Sequence, residues 1–163
     1  VSAPLRRHDL PPISDGAAAL ILVAGDRARE LAERPVWIRG LDHRIESHLP
    51  GLRNLTRSSS TELAARNAGV ADGPIDVAEL MVTYSPEEVL LRNAVGIPFS
   101  DEHTAVNPSG GPLAGHPVMA TGLVRVIEVA DRIVAGTADR GVAHASSGPC
   151  LQQNLVCVLE GAE

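Results

Sequence analysis

The hydrophobic pattern begins with a run of branched apolar residues near the start of the sequence. Residues Ala17 to Val23 are continuously apolar, which favours a buried strand. The segment from Asp26 to Glu33 then brings good helix formers behind an acidic residue that suits a helix N-cap. Pro35 ends this helix, because proline cannot continue one. The sequence therefore predicts a strand followed by a helix.

Further strands and helices alternate along the chain. The segment from Val36 to Ile45 mixes branched apolar and polar residues, as a half-exposed strand does. Ser85 and Pro86 predict the N-cap and first position of a helix through about Val95. The remaining predicted elements are strands at 76–82, 141–147 and 154–159 and helices at 61–68 and about 117–135. This order predicts an α/β layered domain, with helices packed on a mixed sheet of about five strands.

Composition limits the size and content of the core. The 163 residues, 44% of them hydrophobic, suit one domain or one half of a larger pair. The aromatic residues are only Trp37, Tyr84 and Phe99. The core must therefore be built from small aliphatic side chains that pack closely.

Charge and cysteine spacing narrow the classes of function. The net charge of -6 comes from 20 acidic and 14 basic residues without a basic cluster, which argues against nucleic-acid and anionic-membrane partners. The longest apolar run, residues 16–25, is too short to span a bilayer, and no secretory signal is visible. Cys150 and Cys157 fall on what we predict to be one terminal strand and lack zinc-ligand spacing. We expect a cytoplasmic protein with no metal site.

The segment from Asn107 to Gly122 carries the strongest functional signal. It reads Asn-Pro-Ser-Gly-Gly-Pro-Leu-Ala-Gly-His-Pro-Val-Met-Ala-Thr-Gly and resembles the thiolase sequence in which a glycine-rich loop leads into Gly-His-Pro at the start of a buried helix. Gly110, Gly111 and Gly115 would let the backbone approach a substrate closely. At a helix N-terminus, where amides favour negative charge, His116 could activate a thiol or hold a thioester oxygen.

Two more passages extend the resemblance to the thiolase superfamily, and specifically to its carboxy-terminal domain in acetyl-CoA acetyltransferase-like and sterol-carrier-type members. Pro12-Ile-Ser-Asp-Gly-Ala-Ala-Ala19 resembles the passage with which thiolases enter their second half. Cys150-Leu-Gln-Gln-Asn154 stands where thiolases place a second active-site cysteine. The resemblance therefore covers most of residues 1–163.

The resemblance implies an acyltransferase that performs thiolysis or Claisen condensation of 3-ketoacyl-CoA in lipid metabolism. His116 would activate the nucleophilic cysteine and polarise the substrate carbonyl, and Cys150 would be the second catalytic thiol. A coenzyme A thioester is the implied substrate, with no permanently bound cofactor. The nucleophile would come from an amino-terminal half that is absent from these residues, so we expect the chain alone to be inactive and the complete protein to be a homo-oligomer. The implied substrate-binding residues are Asn107, Gly110, Gly111 and Gly115.

Departures from the thiolase pattern leave other functions open. Met81-Val-Thr-Tyr84 replaces the Asn-Glu-Ala-Phe or His-Asp-Cys-Phe of the family, and Met119 stands where a glycine is usual. Ser146 could take the position of the family cysteine in place of Cys150. One alternative is a thiolase-like retro-aldolase acting on a hydroxyacyl-CoA, in which Tyr84 would transfer a proton. Another is a non-catalytic module that binds acyl-CoA or lipid and keeps only the fold.

Simpler structural roles compete with these functional ones. Cys157 fits the strand pattern and is expected in the core, and Tyr84 could simply pack at a strand–helix corner. Four more histidines share no metal-ligand spacing and are expected to be exposed or locally bonded. These are His43, His48, His103 and His144. We further expect His116 within one residue of a helix N-terminus, beside a concave surface lined by Gly110, Gly111 and either Cys150 or Ser146.

Overall fold

A computed structural model describes residues 2–161 as a five-stranded mixed sheet with helices packed on it. The strands are β1 (Val36–Ile45), β2 (Val77–Glu79), β3 (Ala105–Val106), β4 (Arg140–Ser147) and β5 (Gln153–Gly161). Their order across the sheet is β1-β5-β4-β2-β3. Strand β5 runs antiparallel to β1 and β4, whereas β2 is parallel to β3 and β4. The predicted α/β layered class is confirmed.

Of the five α-helices in residues 2–161, four lie close to their predicted positions and the short one at 111–114 was not predicted. They are α1 (Gly25–Leu31), α2 (Ser59–Asn67), α3 (Glu87–Val95), the short α4 (Gly111–Ala114) and α5 (Thr121–Val134). Helix α5 ends before Gly136, which takes a left-handed φ of 72°. Glycine commonly ends a helix in this conformation. Ser85 is not the N-cap of α3, because its hydroxyl donates to Asp9 at 2.6 Å and Pro86 takes the cap position. None of the helices in residues 2–161 has the length and apolar character needed to cross a bilayer.

The predicted strand from Ala17 to Val23 is wrong. These residues form no regular secondary structure, and the fifth strand of the sheet is the short β3 instead. Ile21 is 89% and Leu22 71% exposed. Within the described chain the two ends of the sheet are β1 and β3, and neither pairs with this segment. A branched apolar run favours a strand only where a neighbouring edge and a covering layer are present.

Alternating side chains of the sheet form two cores on its opposite faces. On β5, Val156 and Val158 belong to a cluster that includes Leu91 of α3 and Ala64 of α2. Cys157 and Leu159 belong to the other cluster, with Val129 and Ile133 of α5. The sheet is therefore the middle of three layers. The predicted core position of Cys157 is confirmed, since only 2% of it is exposed.

Helix α5 packs tightly on β4 through a glycine. A Cβ atom at Gly122 would lie 2.7 Å from the Cβ of Ala145, closer than such atoms can approach. The first turn of α5 is thereby fixed against the end of β4. This contact sets the distance between the segment before α5, which contains His116, and the turn after β4, which contains Cys150.

Candidate active site

Four residues singled out from the sequence line one cavity of about 700 Å³. They are Tyr84, His116, Ser146 and Cys150. Apolar side chains, including Met81, Val118 and Met119, complete much of the wall. The expected concave surface is thus present beside His116, and both Cys150 and Ser146 contribute to it. Gly110 and Gly111 do not line this cavity.

His116 is held by the segment that precedes the sheet. Its N–H donates to the carbonyl of Pro12 at 3.2 Å, and its own carbonyl accepts from the N–H of Ser14 at 3.3 Å. The two stretches form a parallel bridge between Ile13 and His116. A Cβ atom at Gly16 would lie 2.7 Å from the Cβ of Pro117, so glycine permits this close packing.

The expectation that His116 sits at a helix N-terminus is wrong. Helix α5 begins at Thr121, and residues before it form a turn in which Ala120 N–H donates to the Pro117 carbonyl. Pro117 does not start a helix here, because the residue before it, His116, pairs with Ile13 in the bridge. The amides at the start of α5 therefore do not determine the environment of His116.

A side-chain bond to α5 orients His116 instead. Its Nδ1 lies 2.9 Å from the hydroxyl oxygen of Thr121, and Thr121 is fully buried. Burial lowers the pKa of His116 below its usual 6.5, while the charge of Glu87 opposes this shift. The imidazole is therefore neutral at pH 7, with one nitrogen able to donate and the other able to accept a proton.

Cys150 lies in a tight turn rather than on a strand. Cys150 and Leu151 both have a φ of 55°, a left-handed conformation that is uncommon for residues other than glycine. Arg53 supports the turn by donating to the carbonyls of Pro149 at 2.9 Å and Cys150 at 3.0 Å. The expectation that both cysteines share a terminal strand is therefore wrong for Cys150, whose free thiol is exposed.

His144 departs from the expectation of an exposed or merely locally bonded histidine. It is fully buried, its Nδ1 accepts from the Met81 N–H at 3.4 Å, and its Nε2 lies 3.0 Å from Asn154 Oδ1. Burial lowers the pKa of His144 to about 4, against the opposing effect of the Asn154 hydrogen bond. This imidazole is neutral, with its proton on Nε2.

Three other histidines considered from the sequence, His43, His48 and His103, are exposed. His103 lies 3.0 Å from a carboxylate oxygen of Asp76, whereas His43 and His48 are on the surface. Among the described residues, no group of three or more His, Cys, Asp or Glu side chains is arranged to hold a metal ion.

The glycine-rich loop is fixed to the sheet by polar contacts. Asn107 Oδ1 accepts from the Leu80 N–H at 2.6 Å. Asn107, Gly110 and Gly111 all take positive φ values, of 47°, 89° and 60°. Neither these residues nor Gly115 line the cavity that contains His116. Their substrate-binding role stays a prediction.

Curated relatives match most of this chain. The acetyl-CoA acetyltransferase of Methanothermobacter thermautotrophicus is 36% identical over 168 residues, a match that covers 91% of this chain and 44% of the relative. A 3-ketoacyl-CoA thiolase of Idiomarina loihiensis is 32% identical over 112 residues, 68% of this chain and 28% of the relative. This chain belongs to the thiolase superfamily.

The match covers a part of each thiolase. The peroxisomal 3-ketoacyl-CoA thiolase B of Mus musculus is 28% identical over 74% of this chain, but over only 28% of its own length. The chain thus spans less than half the length of the curated thiolases described here. No protein-family model matches it. The resemblance inferred from the Gly-His-Pro segment is confirmed at the level of the superfamily.

Residues that depart from the thiolase pattern are concentrated at the cavity. Met81, Thr83 and Tyr84 of the substituted segment all line it, and Tyr84 is 45% exposed. Met119, in place of the usual glycine, is 96% exposed at the same cavity. At the cavity wall, Met81 therefore stands in place of the polar first residue of the family segment, and Met119 adds a second apolar side chain.

The sequence did not reveal a buried ion pair beneath the glycine-rich loop of this thiolase-like domain. Arg125 of α5 lies 2.5 Å from a carboxylate oxygen of Glu79 in β2, and both side chains are buried. Ser109 donates its hydroxyl to Glu79 at 2.7 Å. The available signal was Glu79 itself, a charged residue among Val77, Ala78 and Leu80 in an otherwise buried strand. Its partner could not be identified, because Arg125 lies far along the sequence.

Proposed function

We propose that this chain is the carboxy-terminal domain of an acyltransferase that cleaves or forms the carbon–carbon bond of a 3-ketoacyl-CoA. The observation that carries the proposal is His116, oriented by Thr121, in the same cavity as Cys150. The names of the relatives, acetyl-CoA acetyltransferase and 3-ketoacyl-CoA thiolase, supply the reaction and the substrate class. The coenzyme A thioester is a substrate in this proposal, and no permanent cofactor is required.

The proposed nucleophile is a cysteine from an amino-terminal half outside these residues. Cys157 is buried in the core, and burial raises the pKa of its thiol to about 11, so it is not a nucleophile at neutral pH. Cys150 lines the cavity, and the resemblance to thiolases would make it the second catalytic thiol. In thiolysis, His116 would remove the proton from the nucleophilic thiol or hold the substrate oxygen, and Cys150 would protonate the carbon released when the bond breaks.

Turnover of a complete protein with acetoacetyl-CoA and coenzyme A tests the proposal. We expect His116→Ala to reduce thiolysis by roughly 10²-fold, the scale for losing a positioned base or oxyanion donor. His48→Ala is the matched control, because His48 is exposed and does not line the cavity. We expect residues 1–163 alone to show no thiolysis. Robust activity of those residues alone, or normal activity of His116→Ala, would contradict the proposal.

The retro-aldolase alternative is favoured by one observation, the partly exposed Tyr84 in the same cavity. Cleavage of a β-hydroxyacyl-CoA needs a base for the hydroxyl proton and no cysteine nucleophile. Two substitutions separate the reactions in the complete protein. A large loss in Cys150→Ala supports the acyltransferase, whereas near-normal turnover of Cys150→Ala with a large loss in Tyr84→Phe supports the aldolase.

The binding-module alternative has its own outcome in the same experiment. If His116→Ala, Cys150→Ala and Tyr84→Phe all fold and bind acyl-CoA, and no complete protein turns over either substrate, the domain binds without catalysis. A cytoplasmic location and a homo-oligomeric complete protein belong to the proposal as well. Size-exclusion chromatography with light scattering measures the oligomeric state directly.

A further inference from the structure

A chain of hydrogen bonds passes beneath the cavity floor through two fully buried side chains, His144 and Asn154. The imidazole accepts from the Met81 N–H through Nδ1 and donates through Nε2 to Asn154 Oδ1. Asn154 Nδ2 then donates to the Leu151 carbonyl at 2.8 Å and to the Ser60 hydroxyl at 2.7 Å. We call His144 and Asn154 together the buried relay.

The ends of the buried relay are residues of the cavity wall. Met81, at one end, and Leu151, at the other, both line the cavity. Ser146, on the same strand as His144, lines it too, and its N–H lies 3.2 Å from the sulfur of Met81. The relay therefore connects the segment after β2, the end of β4 and the turn that contains Cys150.

The backbone of the turn that contains Cys150 requires supporting contacts. Cys150 and Leu151 are consecutive residues with left-handed φ angles of 55°, and this conformation persists only where surrounding contacts enforce it. Asn154 holds the turn from inside through the Leu151 carbonyl, while Arg53 holds it from outside through Pro149 and Cys150. An apolar residue at position 144 would fill the same space without constraining the Met81 amide, since dispersion contacts have little directionality.

We propose that His144 and Asn154 are positioning residues, which fix Met81, Ser146 and the Cys150 turn relative to one another across the cavity. Neither side chain touches the cavity itself. The catalytic consequence rests on the proposed acyltransferase function, whereas the structural consequence does not. The two consequences can therefore be measured separately.

Amide hydrogen exchange measures the structural consequence in the protein itself. In His144→Phe we expect exchange at Met81, Gly148, Cys150 and Leu151 to be faster by roughly tenfold, because a buried hydrogen bond that restrains both segments is lost. The matched control is Val142→Ala, which removes buried methyl groups from the same strand without touching the relay. We expect the control to leave the exchange of these two segments close to that of the wild type. Equal exchange in His144→Phe and Val142→Ala would overturn the inference.

Turnover of the complete protein measures the catalytic consequence. We expect His144→Phe to lower kcat by about tenfold with KM within about twofold, since misplaced catalytic groups slow the chemical step more than they weaken binding. His144→Gln, whose amide can restore part of the hydrogen bonding, should recover part of kcat. Equal kcat losses in His144→Phe and Val142→Ala would mean that the buried relay contributes only to stability, and would overturn the positioning role. A wild type without turnover would refute the proposed function, while hydrogen exchange would still decide the relay.

Discussion

The imidazole Nδ1 of His116 lies 2.9 Å from the hydroxyl oxygen of Thr121, the first residue of helix α5. This bond connects the loop that carries the histidine to an element fixed against the sheet, because Thr121 is fully buried. A base on a loop is useful only when a rigid neighbour orients it. Thr121 therefore orients His116, which the sequence had predicted to lie at a helix N-terminus.

Replacing Thr121 with valine should separate this orientation from packing. Valine has nearly the same shape but no hydroxyl, so we expect turnover of the complete protein to fall by about tenfold, as expected for a poorly held acid–base group. Thr121→Ser keeps the hydroxyl and should stay within about threefold of the wild type on the same reasoning. Initial rates with acetoacetyl-CoA measure both. If the valine variant is as active as the serine variant, the hydrogen bond does not orient His116.

The buried His144 predicts a pH dependence of stability. Burial lowers its pKa from 6.5 to about 4 in the folded protein, so the unfolded chain takes up a proton more readily below pH 6.5. Stability is therefore lost as pH falls from 6.5 towards 4. Between pH 7 and pH 5, linkage gives a loss of about 2 kcal/mol in the free energy of unfolding.

Urea unfolding at the two pH values measures this loss, and His144→Gln is the control. The glutamine variant should be less stable at pH 7 but should lose about 2 kcal/mol less on acidification. The carboxyl of Asp101, whose pKa the Thr104 hydrogen bond holds below its usual 3.8, loses its contribution only in more acidic solution. The same pH sensitivity in wild type and variant would show that His144 is not neutral and buried in the folded state.

The two cysteines should differ sharply towards a thiol reagent. Cys150 is exposed, whereas Cys157 is buried with a pKa raised to about 11. Because the thiolate is the reactive form, we expect the native protein to label once, at Cys150, and the urea-unfolded protein to label twice. Cys150→Ser should abolish the native signal. Rapid labelling of Cys157 in the native protein would mean that the core around β5 opens readily.

Elements whose signal is local could be predicted from the sequence. Strand β1 and helix α2 agree with the predicted positions, because the pattern of their side chains matches the face that each element buries. Strands β4 and β5 likewise agree with the strands predicted at 141–147 and 154–159, and the Gly148-Pro149 turn separates them. In each case the residues that determine the element lie within it or next to it.

Features that depend on distant partners could not be predicted. The sequence predicts a helix from about residue 117, because Pro117 suits a first helical position. The helix begins only at Thr121, because the bridge between Ile13 and His116 keeps the earlier stretch extended. The sequence did not predict that His144 is buried, because its hydrogen-bond acceptor, Asn154, lies on the neighbouring strand β5. Tertiary contacts override local preference in both cases.

The ion pair between Glu79 and Arg125 predicts a large and asymmetric effect on stability. Both side chains are buried, and Glu79 also accepts from the Ser109 hydroxyl. Arg125→Met would leave the carboxylate of Glu79 buried without its counter-charge, which typically costs about 3–5 kcal/mol. Glu79→Gln combined with Arg125→Met removes that uncompensated charge while keeping an oxygen for Ser109, so we expect it to be less destabilised than Arg125→Met alone. Urea unfolding measures both, with the slope of the transition checked for constancy. If the double variant is as unstable as Arg125→Met, the loss comes from the packing of Arg125 and not from the unpaired charge.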